Sequence, residues 1–510
     1  MCPLWMAKTF IGVIYQSGML QIKRDSAKMV SRRVLGMSDK IIGRRKESED
    51  LLDLFHSERS EFVAVYGRRR VGKTFLVNNL FESEFAFKMT AVLDDDMQGQ
   101  LKNFASALKE YGGPNVPDLM DWFTAFENLR TLIEKSKRKR KVVFIDEMPW
   151  LDTKGSRFIP ALEHFWNGWA SARDDIMLIV CGSAASWIAK KIFQNRGGLH
   201  NRVTKRILLR PFTLAECRRY AEQKKLPTDE VTLLETYMIF GGIPYYLSLL
   251  NKNYSLAQNV SRLFFSPGGE LRDEYANLYA SLFKNSARHR LVVEAMVKIK
   301  AGLSREDIVR ATKLPDGGCL TVLLEELEMS GFIRKYTPFA KKKKGALYQL
   351  IDHFTLFHFN FIEGSPDSDP DYWMKKRETQ AFRVWRGYAF EQVCFSHVEQ
   401  IQKAIGVSGV ITHVESWRSE KTEGGAQIDL LIDRADRVIS LCEMKFSDSE
   451  LIITQKQAQT IRNKRNVFLA ETGTKKAVHI ALVTPVGLRR NDYYDLAQSI
   501  VTVEDLVKDL

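Results

Sequence analysis

Gly67-Arg-Arg-Arg-Val-Gly72-Lys73-Thr74 satisfies the pattern G-x-x-x-x-G-K-[ST] at every specified position. Before it, Phe62-Val-Ala-Val-Tyr66 is a short apolar run suited to a buried strand, and after it Thr74–Phe81 reads as a helix. Strand, glycine-rich turn and helix in that order let successive backbone N–H groups turn inward around phosphate oxygens at the positive end of the helix. The stretch therefore predicts a triphosphate clamp. Gly67, Arg68, Arg69, Arg70, Val71 and Gly72 would supply its backbone, Lys73 would reach the β/γ-phosphates and Thr74 would hold Mg²⁺. The competing reading, a plain turn between strand and helix, does not explain why pattern and context coincide.

A second set of residues answers the first. Lys141-Val-Val-Phe-Ile-Asp146-Glu147 has the form of a buried parallel strand ending in two acids. At the carboxyl end of a central strand, Asp146 can meet the Mg²⁺ held by Thr74, and Glu147 can polarise an attacking water. Capping of the next helix is the structural alternative for such a pair. A further strand, Ile176–Cys181, ends in Gly182-Ser183, where a small polar side chain can sense a γ-phosphate or cap the segment from Ser186. Between the strands, Ser156–Ala172 reads as one amphipathic helix whose Phe158, Leu162, Phe165, Trp166 and Trp169 belong to the core.

At 510 residues the chain exceeds what one core usually serves, so about two to four domains are expected. Hydrophobic residues at 45% and charged residues at 27% are ordinary folded-protein values and exclude a disordered or membrane-embedded chain. Six scattered cysteines without a CxxC pair read as reduced thiols, and with no span or export signal the expected location is cytoplasmic. The net charge of +14 favours a polyanionic partner, nucleic acid and DNA first. Residues 1–36 fit no clear element and read as an N-terminal extension, or Met37 as the natural start.

The set Gly43-Arg44, GRRRVGKT, VVFIDE and CGSAAS resembles the archaeal-type ATPase family, within the AAA+ and STAND-like P-loop ATPases. The resemblance implies ATP and Mg²⁺ as cofactors and an ATPase core over 37–211, with a homo-oligomer as one possible state. It places Arg202, in Leu199-His-Asn-Arg202, where the family carries a γ-phosphate arginine acting in cis or across a subunit contact. His200-Asn201 departs from the family's usual Tyr-Gly, and a simple surface cation is the other reading. Helices Leu214–Lys225 and Val231–Phe240, followed by Gly241-Gly-Ile-Pro244, resemble the family's lid over 212–285.

From 286 to 364 the pattern changes to three short helices, Leu291–Lys298, Ser304–Thr312 and Cys319–Met329. Two strands follow, Gly331–Tyr336 and Leu347–Ile351, around a tip of Lys341–Lys344, which completes a winged-helix plan. The tip lysines suit phosphates, whereas Glu325, Glu326 and Glu328 on the third helix would repel them. His353 and His358 lack metal-ligand spacing and read as interior or surface residues. A breaker-rich linker, 365–377, leads to the last part.

Over 378–510, Gly387-Tyr-Ala-Phe390-Glu391, Ala426-Gln-Ile-Asp429 and Cys442-Glu443-Met-Lys445 resemble the PD-(D/E)XK nuclease-like domain that follows the ATPase in many family members. An acid inside an apolar strand is costly unless something positive meets it. Asp429 and Glu443 could share a divalent cation, with Glu391 in its outer shell. Lys445 would orient or deprotonate the attacking water. Gln455, Lys456 and Gln459 would either line the same cleft or form a solvated helix face.

The expected fold class is α/β and multidomain: a P-loop ATPase parallel sheet with a helical lid, a winged helix, and a C-terminal α/β restriction-endonuclease-like domain. The expected function is an ATP-hydrolysing switch coupled to a DNA-binding winged helix and a Mg²⁺-dependent nuclease domain. The alternative is a signalling or scaffold ATPase whose C-terminal module binds without catalysis.

Overall fold

Five short apolar segments form one sheet, in the order β2-β3-β4-β1-β5: β1 (Glu61–Tyr66), β2 (Phe85–Thr90), β3 (Lys141–Asp146), β4 (Ile176–Gly182) and β5 (Lys205–Leu208). β2, β3 and β4 pair in parallel, and every residue of β3 and β4 is buried. Burial on both faces is why these strands read as continuous apolar runs without alternation. The computed structural model describes residues 40–113, 119–194, 197–283, 285–339, 345–366, 369, 371–419 and 425–509. The expected extension 1–36, Pro114, the lysine run Lys341–Lys344 and part of the linker lie outside them.

The chain divides into two compact units, Met1–Val65 with Lys73–Gly182 and Lys191–Ile207, and Tyr66–Gly72 with Ser183–Lys190 and Leu208–Leu510. In the first, the helices Trp122–Lys135 and Phe158–Gly168 pack through aromatic contacts. Phe126 stacks on Phe165 at 5.2 Å, and Trp122 meets Phe158 edge-on at 4.9 Å. Each such ring, fully buried, contributes about 1.5–3 kcal/mol. The single helix expected over Ser156–Ala172 is shorter, Phe158–Gly168 with a 3₁₀ turn at Ala170–Ala172. The α backbone breaks at Trp169, whose φ is −147°, and its half-exposed ring lies under the guanidinium groups of Arg130 and Arg173.

The second unit holds two further sheets. In the smaller, β6 (Leu303–Ser304), β7 (Ile333–Tyr336) and β8 (Leu347–Leu350) lie in the order β6-β8-β7. β8 pairs antiparallel with both neighbours. The three expected short helices stand before the hairpin as Ser286–Val297, Arg305–Thr312 and Gly318–Met329. Ser304 starts the second through a capping box with Asp307, which satisfies N–H groups the helix cannot pair internally.

The larger sheet is mixed, in the order β13-β12-β11-β10-β9: β9 (Thr412–Arg418), β10 (Gln427–Arg434), β11 (Val438–Met444), β12 (Ala477–Val483) and β13 (Ser499–Val501). β9, β10 and β11 are antiparallel, and β11, β12 and β13 are parallel. The helix Gln455–Thr472 packs Phe468 against Trp417 of β9 and against Phe339, beyond the β7–β8 hairpin's first strand. The Phe339 N–H donates to the Ser416 carbonyl at 2.7 Å, which fastens the hairpin to β9. No helix of the described residues is long and apolar enough to cross a membrane.

Candidate functional site

The phosphate loop leaves β1 and enters the helix Lys73–Phe81 without interruption. Gly67, at φ 141°, lies so close to the Leu209 carbonyl oxygen that a Cβ would stand 2.3 Å from it, and Gly72 has φ 92°. Arg70 takes a left-handed φ of 68°, which a residue with a Cβ adopts only where its surroundings hold it there. Two loop arginines show what holds them. Arg68 is buried, ion-paired with Asp352, and its guanidinium lies 4.7 Å from the centroid of the Phe332 ring. Arg70 Nη1 lies 2.7 Å from Glu274 Oε2, while the Tyr246 hydroxyl donates to Glu274 Oε1 at 2.8 Å. Their side chains are engaged by downstream helices, so their part in holding a phosphate is left to backbone N–H groups.

Asp352 is bound twice over. It caps the helix His353–Phe357, its Oδ2 accepting from the Thr355 N–H at 2.9 Å and the Thr355 hydroxyl at 2.5 Å. Burial alone would raise its pKa, but the Arg68 guanidinium holds the carboxyl below the usual carboxylate range. His353 beside it is buried, and burial pushes its imidazole down to about 4, so it is a neutral interior residue, as its spacing suggested.

In the first unit, the Thr74 hydroxyl donates to Asp146 Oδ2 at 2.7 Å. Asp146 Oδ1 accepts from the Glu147 N–H at 2.9 Å, and burial raises the Asp146 pKa although the Thr74 bond opposes it. Glu147 stands at the strand tip with φ 49°, a second left-handed residue where the chemistry is expected. The residue pair expected to share Mg²⁺ is thus in contact, and a buried Asp146 carboxylate gains by a nearby cation, so these residues fit the ion. Lys73 is buried at the start of its helix, Ser183 is buried just beyond β4, and Arg202 is exposed in the turn before β5.

Glu391 and Lys445 each lie within electrostatic reach of both Asp429 and Glu443, so the fold brings the four C-terminal residues into one neighbourhood. Asp429 sits on a bulge: between Ile428 and Leu431, β10 advances three residues while β9 advances two, from Trp417 to Glu415. Bulges re-aim side chains, and this one is next to a cavity of ≈ 290 Å³. Its lining includes Asp429, Glu391 of the helix Gln380–Ser396, Gln427, Tyr388, Gln349 of β8 and Lys300. Burial, with the Asp429 charge next, pushes Glu391 up to about 8. Glu443 is not in that lining: its Oε1 lies 2.8 Å from Lys445 Nζ and its Oε2 lies 2.7 Å from Lys464 Nζ.

Among the described residues no three His, Cys, Asp or Glu side chains are grouped to hold a metal ion. With both Glu443 oxygens taken by ammonium groups, the set Asp429, Glu443 and Glu391 does not fit a shared cation as it stands. Lys445 meets a related obstacle. Burial lowers its pKa but Glu443 raises it further, so the ammonium keeps its proton and suits charge neutralisation rather than deprotonation of water. Gln455, Lys456 and Gln459 are exposed, and the residue of that helix that enters the constellation is Lys464. Its signal was visible: a lysine three residues after Ile461 and four before Phe468 lies on the buried stripe. Lys300 and Gln349 carried no comparable local signal.

Loop, strand-end acid pair and parallel sheet together define a P-loop ATPase. More specifically, residues 42–250 match the family described as an ATPase domain predominantly from Archaea. An uncharacterized protein of Methanocaldococcus jannaschii is 24% identical over 419 residues, 80% of this chain and 88% of the relative. Among solved structures, the Walker-type ATPase of Pyrococcus abyssi is similar with a TM-score of 0.48 and 18% identity, covering 63% of this chain and 96% of its own. The ORC2 protein of Aeropyrum pernix, solved with ADPNP and ADP, is similar with a TM-score of 0.39 and 13% identity over 68% of this chain and 99% of that one.

Proposed function

We propose that this protein is an ATP-hydrolysing switch whose second unit acts on nucleic acid. The observation that carries the reading is the Thr74–Asp146 hydrogen bond beside Glu147. Mg²⁺, when bound, would supply positive charge that offsets the charge developing on the phosphates. Thr74 and Asp146 would hold it, and the N–H groups of Gly67–Lys73 with the Lys73 ammonium would fix the phosphates. Glu147 would orient a water for in-line attack on the γ-phosphorus and accept its proton as the bond to the leaving ADP oxygen breaks. Ser183 would sense the γ-phosphate, and Arg202 would reach it in cis or from a second copy. Lys73→Ala is expected to abolish ATP turnover and weaken binding; a variant that hydrolyses ATP at the wild-type rate overturns the reading.

Downstream, we read 286–364 as a winged helix that contacts DNA backbone and 378–510 as a nuclease-like domain. Glu326 does not oppose this as the sequence suggested, because it is engaged by His289 at 3.0 Å and Lys190 at 3.6 Å. Support for a nuclease-like site is the cavity that gathers Glu391 and the bulged Asp429. A second reading, a module that binds nucleic acid without cutting it, is favoured by the closure of Glu443 between two lysines. Labelled DNA incubated with full chain, ATP and Mg²⁺ or Mn²⁺ separates the two: nicking lost in Asp429→Asn supports the nuclease, and retention without nicking supports the binding module.

A further inference from the structure

Lys300 belongs to the turn after the helix Ser286–Val297, yet it lines the same cavity as Glu391 and Asp429. Its position is fixed by its backbone. The Lys300 carbonyl accepts from Gln349 Nε2 at 2.6 Å and from the Tyr388 hydroxyl at 3.4 Å. Gln349 also donates to the Tyr388 oxygen at 3.3 Å, and Arg334 Nε donates to Gln349 Oε1 at 2.8 Å. Four residues from the turn, the hairpin and the helix Gln380–Ser396 are thereby joined through one carbonyl and one amide.

The ammonium is placed as well as the backbone. Nζ lies 5.0 Å from the centroid of the Tyr388 ring, whose face attracts cations. Lys300 is exposed and makes no ion pair among the described residues, unlike Lys445 and Lys464, which are both committed to Glu443. A cation held by a hydrogen-bonded backbone and in no ion pair among the described residues, though within electrostatic reach of Glu391, has ordering entropy already removed and a charge available to an anion. The cavity lining also carries the Asp429 and Glu391 carboxyl groups, so an anion belongs beside Lys300 and not beside them. A nucleic-acid backbone meets that geometry, since one phosphodiester can rest on Lys300 while its neighbours run outward.

We propose that Lys300 is a phosphodiester-positioning residue, supplied by the hairpin module to the C-terminal carboxylate cavity, so that nucleic acid is held across both modules at once. This rests on the nucleic-acid reading above, but on neither ATP turnover nor cleavage. It also gives the fastening of Phe339 to Ser416 a role, because a site shared by two modules needs them held in register.

The test is fluorescence anisotropy of labelled duplex and single-stranded oligonucleotides with full chain, wild type against Lys300→Ala, Lys300→Arg and the neighbouring exposed Lys298→Ala, between about 50 and 200 mM salt. Expected are a roughly fivefold to tenfold weaker binding by Lys300→Ala, with a log K against log[salt] slope shallower by about 0.9 on duplex or about 0.7 on single strand. Lys300→Arg should restore affinity, and Lys298→Ala should leave both unchanged. A structural role alone would not change the slope. Equal affinity and slope in wild type and Lys300→Ala, or no retention of either oligonucleotide by wild type, overturns the proposal. Absence of nicking by wild type with Mg²⁺, while the binding differences persist, removes the nuclease reading and leaves this one standing.

Discussion

Replacing Asp352 by Asn removes one charge from the pair with Arg68 and keeps nearly everything else. Asn has the same shape, and it caps helices as well as Asp does, so the bonds from Thr355 can persist. What remains is an arginine whose side chain is 6% exposed, facing a neutral amide where its 3% exposed partner stood. Truncating one side of a buried ion pair typically costs about 3–5 kcal/mol, because the surviving charge is desolvated without compensation. A neutral hydrogen bond to the guanidinium returns part of that, so Asp352→Asn should destabilise the second unit by about 2–3 kcal/mol. Arg68→Met alone should cost a similar amount, by leaving Asp352 unpaired.

The double variant distinguishes a buried charge pair from ordinary packing. With both charges gone, no desolvated ion remains, so the double loss should be smaller than the sum by at least about 2 kcal/mol. Urea unfolding followed by tryptophan fluorescence supplies the cycle, and titration with ADP supplies the functional readout, since Arg68 lies within the phosphate loop. Nucleotide affinity should fall in each single variant as the loop loses its anchor. Additive single losses, or an Asp352→Asn variant within about 0.5 kcal/mol of wild type, would refute the reasoning.

Glu147→Gln should lower ATP turnover about 10²- to 10⁴-fold while ATP still binds, measured by phosphate release and by titration; undiminished turnover removes Glu147 as the base. Gly67→Ala should lose at least about 2 kcal/mol in urea unfolding, because φ 141° and a Cβ 2.3 Å from the Leu209 oxygen both oppose it; a neutral effect would mean the loop is not held there. Glu391 keeps its proton in the folded chain up to about 8 whereas the unfolded carboxyl titrates near 4.5. Its contribution to stability is complete below the unfolded value and lost as pH rises through 8, so wild type should weaken over that window relative to Glu391→Gln. Parallel stability-against-pH curves for the two proteins would contradict the burial of that carboxyl.

Much of the ATPase part was legible because its elements are written locally. A phosphate loop is eight contiguous residues, and β3 and β4 are apolar runs that only a twice-covered strand would carry. The second and third helices and the hairpin strands of 303–351 were read to within about two residues, whereas the first helix starts at Ser286, five residues before the expected Leu291. The mixed sheet was half legible. β10 and β11 announced themselves by acids in apolar surroundings, but β9 is largely exposed and β13 has only three residues, and strands of that kind have little signal of their own.

By itself, the sequence determined which atoms could hold a triphosphate and which strands would be buried, since backbone freedom at glycine and the period of apolar residues are properties of neighbours along the chain. The tertiary structure decided where each charge is neutralised. Arg68 finds Asp352 across 284 positions, Glu443 is shared by Lys445 and Lys464, and Lys300 reaches a cavity built mostly from residues over eighty positions away. Such partners are chosen by topology and desolvation: a buried ion selects whatever opposite charge the fold brings within about 4 Å, and no local pattern records that choice.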